Sequence, residues 1–202
     1  MSPAWMSLTL VAALAAFVLL VFSHYNSLIR SQKRMQEAWS GIDVQLRRRA
    51  SLVPNLVETV RGYAEHERDV FEQVAIARGA MQKADGAGQT SNASNLLTQA
   101  LGHLFAVVEN YPQLRASENF LTLREDLRDT EEKIAYARQF YNRNVLDYNT
   151  RIDTYPDALL AKQFGFASAE FFGTDADGRA EVHVSFDRSA PRPQQPASPP
   201  AL

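Results

Sequence analysis

The 202-residue chain is 46% hydrophobic and 22% charged with a formal net charge of -2, a composition that suits a folded core and offers no global attraction for nucleic acid. It contains no cysteine, which excludes disulfides, thiolate metal sites and cysteine nucleophiles. Only nine glycines and nine prolines occur, and five of the prolines lie between Pro191 and Pro200, so the body of the chain is poor in helix breakers.

No charged residue lies between Ser2 and Ser23. About 20 apolar residues rising about 1.5 Å each cross a hydrocarbon core of about 30 Å, so residues 1–24 are expected to form a transmembrane anchor. Trp5 and Tyr25 stand near its two ends, where amphipathic rings favour the interface. A cleaved signal peptide would have a basic leading region and a shorter apolar run. Arg30, Lys33 and Arg34 follow the segment and no lysine or arginine precedes it. The positive-inside bias therefore predicts a single-pass protein of the cell membrane, its N-terminus outside and its helical domain in the cytoplasm.

Beyond the anchor a heptad frame runs through Met35, Trp39, Ile42, Leu46, Arg49, Val53, Leu56, Val60, Tyr63, Glu67, Val70, Val74, Ala77 and Met81. Arg49 and Glu67 are its two polar members. Because the frame keeps its phase across Pro54, a kinked continuous helix is favoured there over a full stop. Asp85 to Asn92 reads as a flexible loop. A second helix is expected from Ala93 to Asn110, ended by Tyr111-Pro112. A third starts at Ser117 as N-cap and carries Phe120, Leu123, Leu127, Thr130, Ile134, Ala137, Tyr141, Val145, Tyr148 and Ile152 on one stripe. After Pro156 a short helix is expected over residues 157–163, closed by Gly165, with Phe164, Phe166, Phe171 and Phe172 as a cap over a bundle end. Asp175-Ala176-Asp177-Gly178 reads as a turn, residues 181–187 alternate like a short strand, and residues 190–202 form a proline-rich tail. The prediction is an all-α fold: an N-terminal transmembrane helix, then an antiparallel bundle of three to four long helices over residues 25–173, then a C-terminal extension over 174–202.

A run in Ala38-Trp39-Ser40-Gly41-Ile42-Asp43, then Leu52-Val53-Pro54-Asn55-Leu56-Val57-Glu58 and Gly62-Tyr63-Ala64, resembles the LemA family. So do Glu109-Asn110-Tyr111-Pro112, Glu118-Asn119-Phe120, Tyr141-Asn142, Tyr148-Asn149, Tyr155-Pro156 and Phe164-Gly165-Phe166. The resemblance runs in order from about Tyr25 to Phe172 and leaves out the tail after Gly173. It implies a membrane segment ahead of an antiparallel helical domain, and it brings no established activity.

Chemistry is sparse. A di-iron bundle needs Glu-x-x-His pairs, and none of the four histidines has glutamate three residues before it, so no metal and no cofactor is expected. Glu67, at a seam position, is expected to pair with an arginine such as Arg138, since a buried charge needs a partner. Arg47, Arg48 and Arg49 project around most of a helix, so they are either solvated or a surface for an acidic protein partner. Arg48 stands about 35 Å from the membrane along a straight helix, too far for headgroups. Tyr141 and Tyr148, each followed by asparagine, share a helix face and either pack in the core with their hydroxyls on a polar partner or line a ligand cleft. The reading is a non-enzymatic, membrane-tethered scaffold or adaptor that recruits protein partners, or else a sensor that binds a small ligand in the bundle. Heptad seams pack within one chain or between chains, so a homo-oligomer fits the same pattern.

Overall fold

An apolar stripe along a helix is stable in water only when another stripe covers it. In the computed structural model, which describes residues 3–173, the stripes of the first and fifth helices cover each other. The elements are α1 (Pro3–Arg61), α2 (Arg68–Lys83), α3 (Gly86–Val108), α4 (Pro112–Arg115), α5 (Glu118–Asp153) and α6 (Asp157–Phe164). Among the described residues there is no strand. The turn at 175–178, the short strand at 181–187 and the proline-rich tail expected from the sequence lie outside the described residues.

α1 is one helix of 59 residues, about 88 Å at 1.5 Å per residue. Its first part is long and apolar enough to cross a membrane, and the large apolar side chains from Trp5 to Phe22 are almost all exposed. The helix passes through Tyr25–Leu28 into the bundle without interruption. It also passes through Pro54. Proline cannot donate to the carbonyl four residues back, and that carbonyl, of Ala50, accepts from the Arg78 guanidinium of α2 at 3.3 Å.

The heptad frame does not reach Met81 in one helix, as its phase had suggested. α1 ends at Arg61, and residues 62–67 turn the chain before α2. Gly62 costs about 1 kcal/mol relative to alanine inside a helix, and Tyr63, expected on the seam, is exposed while Ala64 is buried. α2 then buries Phe71, Val74 and Ala77.

The other correction concerns Asp85 to Asn92, expected as a loop. Only Ala84 and Asp85 separate α2 from α3, and α3 begins at Gly86. Its first turns are small residues, with Ala87, Thr90, Ser91, Ala93 and Ser94 all buried. Low propensity is overridden because small side chains let α3 lie close to its neighbours. The Glu170 carboxylate accepts from Gly88 N–H at 3.3 Å, a negative charge at the positive end of the helix. A Cβ on Gly88 would stand 3.2 Å from that carboxylate oxygen, so glycine keeps the approach open.

The α2–α3 hairpin covers mainly the distal half of the α1–α5 pair. There Val53, Leu56 and Val60 of α1 meet Phe71 and Val74, Leu97, Leu101 and Leu104, and Phe120 and Leu127 of α5 in one core. Each fully buried leucine or valine contributes about 1.5–3 kcal/mol. Toward the membrane segment the hairpin reaches the pair only through Ala87 and Met81, the stripe of Ala38, Ile42, Tyr141 and Val145 is closed by residues 165–173, and α6 covers Leu28, Tyr148 and Ile152. α5 begins directly after Ser117 and ends at Asp153, just short of the expected stop at Tyr155-Pro156, although Ser117 caps it through its carbonyl rather than its side chain. Gly165, with φ of 73°, closes α6 as expected, and Phe166 N–H reaches the carbonyl of Ala161 at 2.9 Å.

Candidate functional site

Residues 166–173 leave α6 as an extended strap that lies along α5. The expected cap is met in part: Phe164 and Phe166 pack on Tyr25 at the proximal end of the bundle, whereas Phe171 and Phe172 lie along the side of the proximal pair, where apolar surface is otherwise uncovered. Phe172 is buried against Trp39 and Tyr141, and Ala169 and Phe171 pack on the same cluster.

The strap is held by two Tyr-Asn pairs. Tyr148 donates its hydroxyl to the carbonyl of Ala167 at 3.0 Å, and Tyr141 donates to that of Glu170 at 2.9 Å. Asn149 donates to the carbonyl of Ala169 at 3.0 Å and accepts its N–H at 2.9 Å. Asn142 does the same to Phe172, at 2.9 and 2.8 Å. The spacing explains the fit. Seven residues of helix advance about 10.5 Å, and three residues of extended chain advance about 10 Å, so each clamp meets an equivalent backbone unit of an antiparallel strap. All six bonds go to main-chain atoms, so the clamps recognise an extended backbone.

Burial raises the proton affinity of both tyrosines, and for Tyr141 the Glu170 carboxylate adds to it. Their hydroxyls are therefore donors at neutral pH. A group whose folded pKa lies above its unfolded value contributes its full stability below the unfolded value, about 10 for tyrosine, and loses it as pH rises through the folded one. Strap release should therefore set in above about pH 10. Trp39, whose ring centroid is 5.3 Å from that of Tyr141, reports it by fluorescence in a Trp5→Phe background. Tyr141→Phe with Tyr148→Phe should remove most of that alkaline transition; an unchanged transition would locate it elsewhere.

The second polar feature lies at the middle of the α1–α5 seam. Arg49 is 2% exposed, pairs with Glu131 at 2.6 Å and donates to Thr98 at 2.9 Å and Ser94 at 3.3 Å. Burial lowers its proton affinity while Glu131 opposes that shift. An arginine remains charged at neutral pH regardless, so the pair is a charged joint between α1, α3 and α5. The arginine run is thus divided. Arg49 is a core residue, not part of a partner surface. Arg48 pairs with Asp129 at 3.2 Å, and Arg47 with Asp43 at 2.6 Å while staying open to solvent.

Glu67 and Arg138 do not pair. Glu67 lies half-buried in the turn before α2, whereas Arg138 is exposed on α5 beside Gly173. The acid that does pair with a seam arginine is Glu131, bonded to Arg49, and it has no seam position of its own. Among the described residues no group of three or more histidine and carboxylate side chains is placed to hold a metal. The Tyr-Asn repeat was visible in the sequence; its partner was not, because an extended strap has no periodicity to announce it.

The LemA family model matches residues 38–186. The shared region thus extends past Gly173, beyond the limit the sequence motifs had suggested. A protein named magnetosome protein MamQ, from Magnetospirillum gryphiswaldense, is 26% identical over 188 residues, 80% of this chain and 69% of its own length. A protein named magnetosome protein MamQ 1, from Paramagnetospirillum magneticum, is 27% identical over the same extent. One named protein LemA, from Metamycoplasma hominis, is 22% identical over 177 residues, 87% of this chain and 80% of its own length.

Proposed function

The chain belongs to the LemA family, and from that premise we propose that it is a membrane-anchored helical scaffold or adaptor, without catalysis of its own, that recruits protein partners at the membrane. The observation that carries this reading is the unbroken α1, which joins the exposed apolar segment to the bundle core as one element. A domain mounted in this way is held at a fixed height and orientation, which favours a positional role. The most concentrated polar chemistry, in Arg49, Glu131 and the Tyr-Asn clamps, binds atoms of the chain itself. Away from the membrane segment, Tyr136 is 73% exposed and Phe140 stands one turn on, beside Glu132 and Lys133, an amphipathic surface suited to a protein partner or a second copy. Relatives named for the magnetosome agree with a protein placed at one cellular structure.

Arg30, Lys33 and Arg34 favour a cytoplasmic domain. With no native cysteine, Ser2→Cys should react with an impermeant maleimide on intact cells and Gln36→Cys only after permeabilisation; the reverse pattern would invert the topology. Photocrosslinking from position 136 in cells should capture a reproducible protein neighbour, and its failure would count against recruitment through this face. The sensor reading has one feature in its favour, a cleft between α3 and α5 lined by Arg49, Leu101, Phe105 and Arg124. Thermal stabilisation of the whole chain by a metabolite or metal, lost on Phe105→Ala, would support it instead.

A further inference from the structure

α6 crosses α1 instead of running along it. Asp157, at its start, meets His24 (Oδ1···Nδ1 2.5 Å), and Phe164, at its end, meets Tyr25 with ring centroids 4.9 Å apart. Both ends of an eight-residue helix therefore touch one level of α1. That level is about 3–5 Å beyond Phe22, where the exposed apolar run ends. The inner face of α6 buries Ala161 against Leu28. Leu159, on the side opposite Ala161, is 62% exposed, Phe164, on the flank that meets Tyr25, is still 56% exposed, and Tyr155 just before the helix is 76% exposed. Three large apolar side chains thus continue the lipid-facing surface of α1 sideways.

A cleft opens beside this level between α1 and α5. It takes Ser27, Arg30 and Arg34 from α1, Asp147 and Arg151 from α5. Arg151 is bonded to the Ser27 side chain, about 7.5 Å beyond Phe22, and Arg30 lies about 12 Å beyond with its side chain tilted back toward the helix N-terminus. The headgroup layer is about 5–8 Å deep on each side. Among the described residues none of the three arginines has an ion pair, and the cleft has one carboxylate against three guanidinium groups. Planar guanidinium donors suit phosphate oxygens.

We propose that α6 is an interfacial foot, with Leu159 and Phe164 in the bilayer surface, and that Arg30 and Arg151 hold the phosphate of an anionic phospholipid beside it. This rests on the reading that α1 spans a membrane. Continuity with the apolar run selects a bilayer as the occupant over a soluble protein, and the arginine excess selects anionic headgroups.

The experiment uses the whole chain reconstituted in phosphatidylcholine vesicles with and without phosphatidylglycerol, carrying single cysteines labelled with an environment-sensitive fluorophore. A label at Leu14→Cys quenched by deep acyl-chain nitroxides reports insertion of α1, the premise. With that shown, labels at Leu159→Cys and Phe164→Cys should be quenched by shallow nitroxide lipids, and a label at Tyr136→Cys should not. Quenching at position 159 by nitroxide-bearing phosphatidylglycerol should exceed that by the phosphatidylcholine analogue several-fold, and Arg30→Gln with Arg151→Gln should bring the ratio close to one. An inserted α1 with no quenching at 159 and 164 would overturn the foot. Quenching there with equal response to both lipids in the parent would overturn the headgroup site. No insertion at position 14 would overturn the premise and the proposal together.

Discussion

Replacing Glu131 by leucine should destabilise the bundle by about 3 kcal/mol, the low end of the range for breaking a buried ion pair. The cost arises on the other side of the pair. Arg49 is 2% exposed and would keep its charge with only the Ser94 and Thr98 hydroxyls as partners, its Nε being already without one. Glu131 is 45% exposed, which holds the expected loss at the lower end because water reaches the vacated position. The same asymmetry predicts that Arg49→Met costs less than Glu131→Leu, since a half-exposed carboxylate left alone hydrates. The double variant, Arg49→Met with Glu131→Leu, should recover most of the loss, because an apolar pair of similar volume has no charge to desolvate. Thermal unfolding of the solubilised chain followed by circular dichroism checks all three. A Glu131→Leu variant as stable as the parent would show that solvent already screens the pair.

Arg49 also shows what sequence periodicity can and cannot say. Its seam position was plain in the heptad frame, and burial followed from it. Its partner was not plain, because Glu131 is off the α5 stripe and is reached only by the length of the arginine side chain. Glu67 had the same standing in the frame and stays only half-buried, since the helix that would have carried it inward ends at Arg61. The frame recorded the phase of two helices and was blind to the turn between them, for which Gly62 was the one local signal. α5 was legible almost to the residue because a long, regular stripe between two proline boundaries leaves few alternatives. The start of α3 was illegible for the opposite reason: its glycine, serine and threonine residues disfavour a helix locally and are accepted because a tightly packed neighbour needs small side chains. The passage of α1 through Pro54 was readable from phase alone, but the Arg78 guanidinium that satisfies Ala50 could be found only in three dimensions.

The strap is the element least visible in sequence, and its loss should have the largest local consequence. Asn142→Ala with Asn149→Ala removes four hydrogen bonds and leaves the N–H and C=O of Ala169 and Phe172 without partners. Net hydrogen bonds of about 1 kcal/mol each set the expected loss at about 4 kcal/mol, reduced to the extent that water replaces the clamps at these half-buried positions. The remaining tethers are the two tyrosine hydroxyls and the packing of Phe172 on Trp39. A segment of eight residues that loses so much should open locally, not unfold the bundle, because α1 and α5 keep their own seam. Amide exchange at Ala169 and Phe172 should rise by orders of magnitude while helical circular dichroism stays near the parent's, and proteolysis should appear at Phe171. Asn149→Asp separates the two halves of a clamp: its carboxylate still accepts from Ala169 N–H but faces the Ala169 carbonyl with like charge. It should therefore loosen the strap more than removal of a single bond would. If both residues stay protected in the alanine pair, the side chain of Phe172, not the backbone clamps, fixes the strap. The clamps would then be free to recognise another extended segment without cost to the fold.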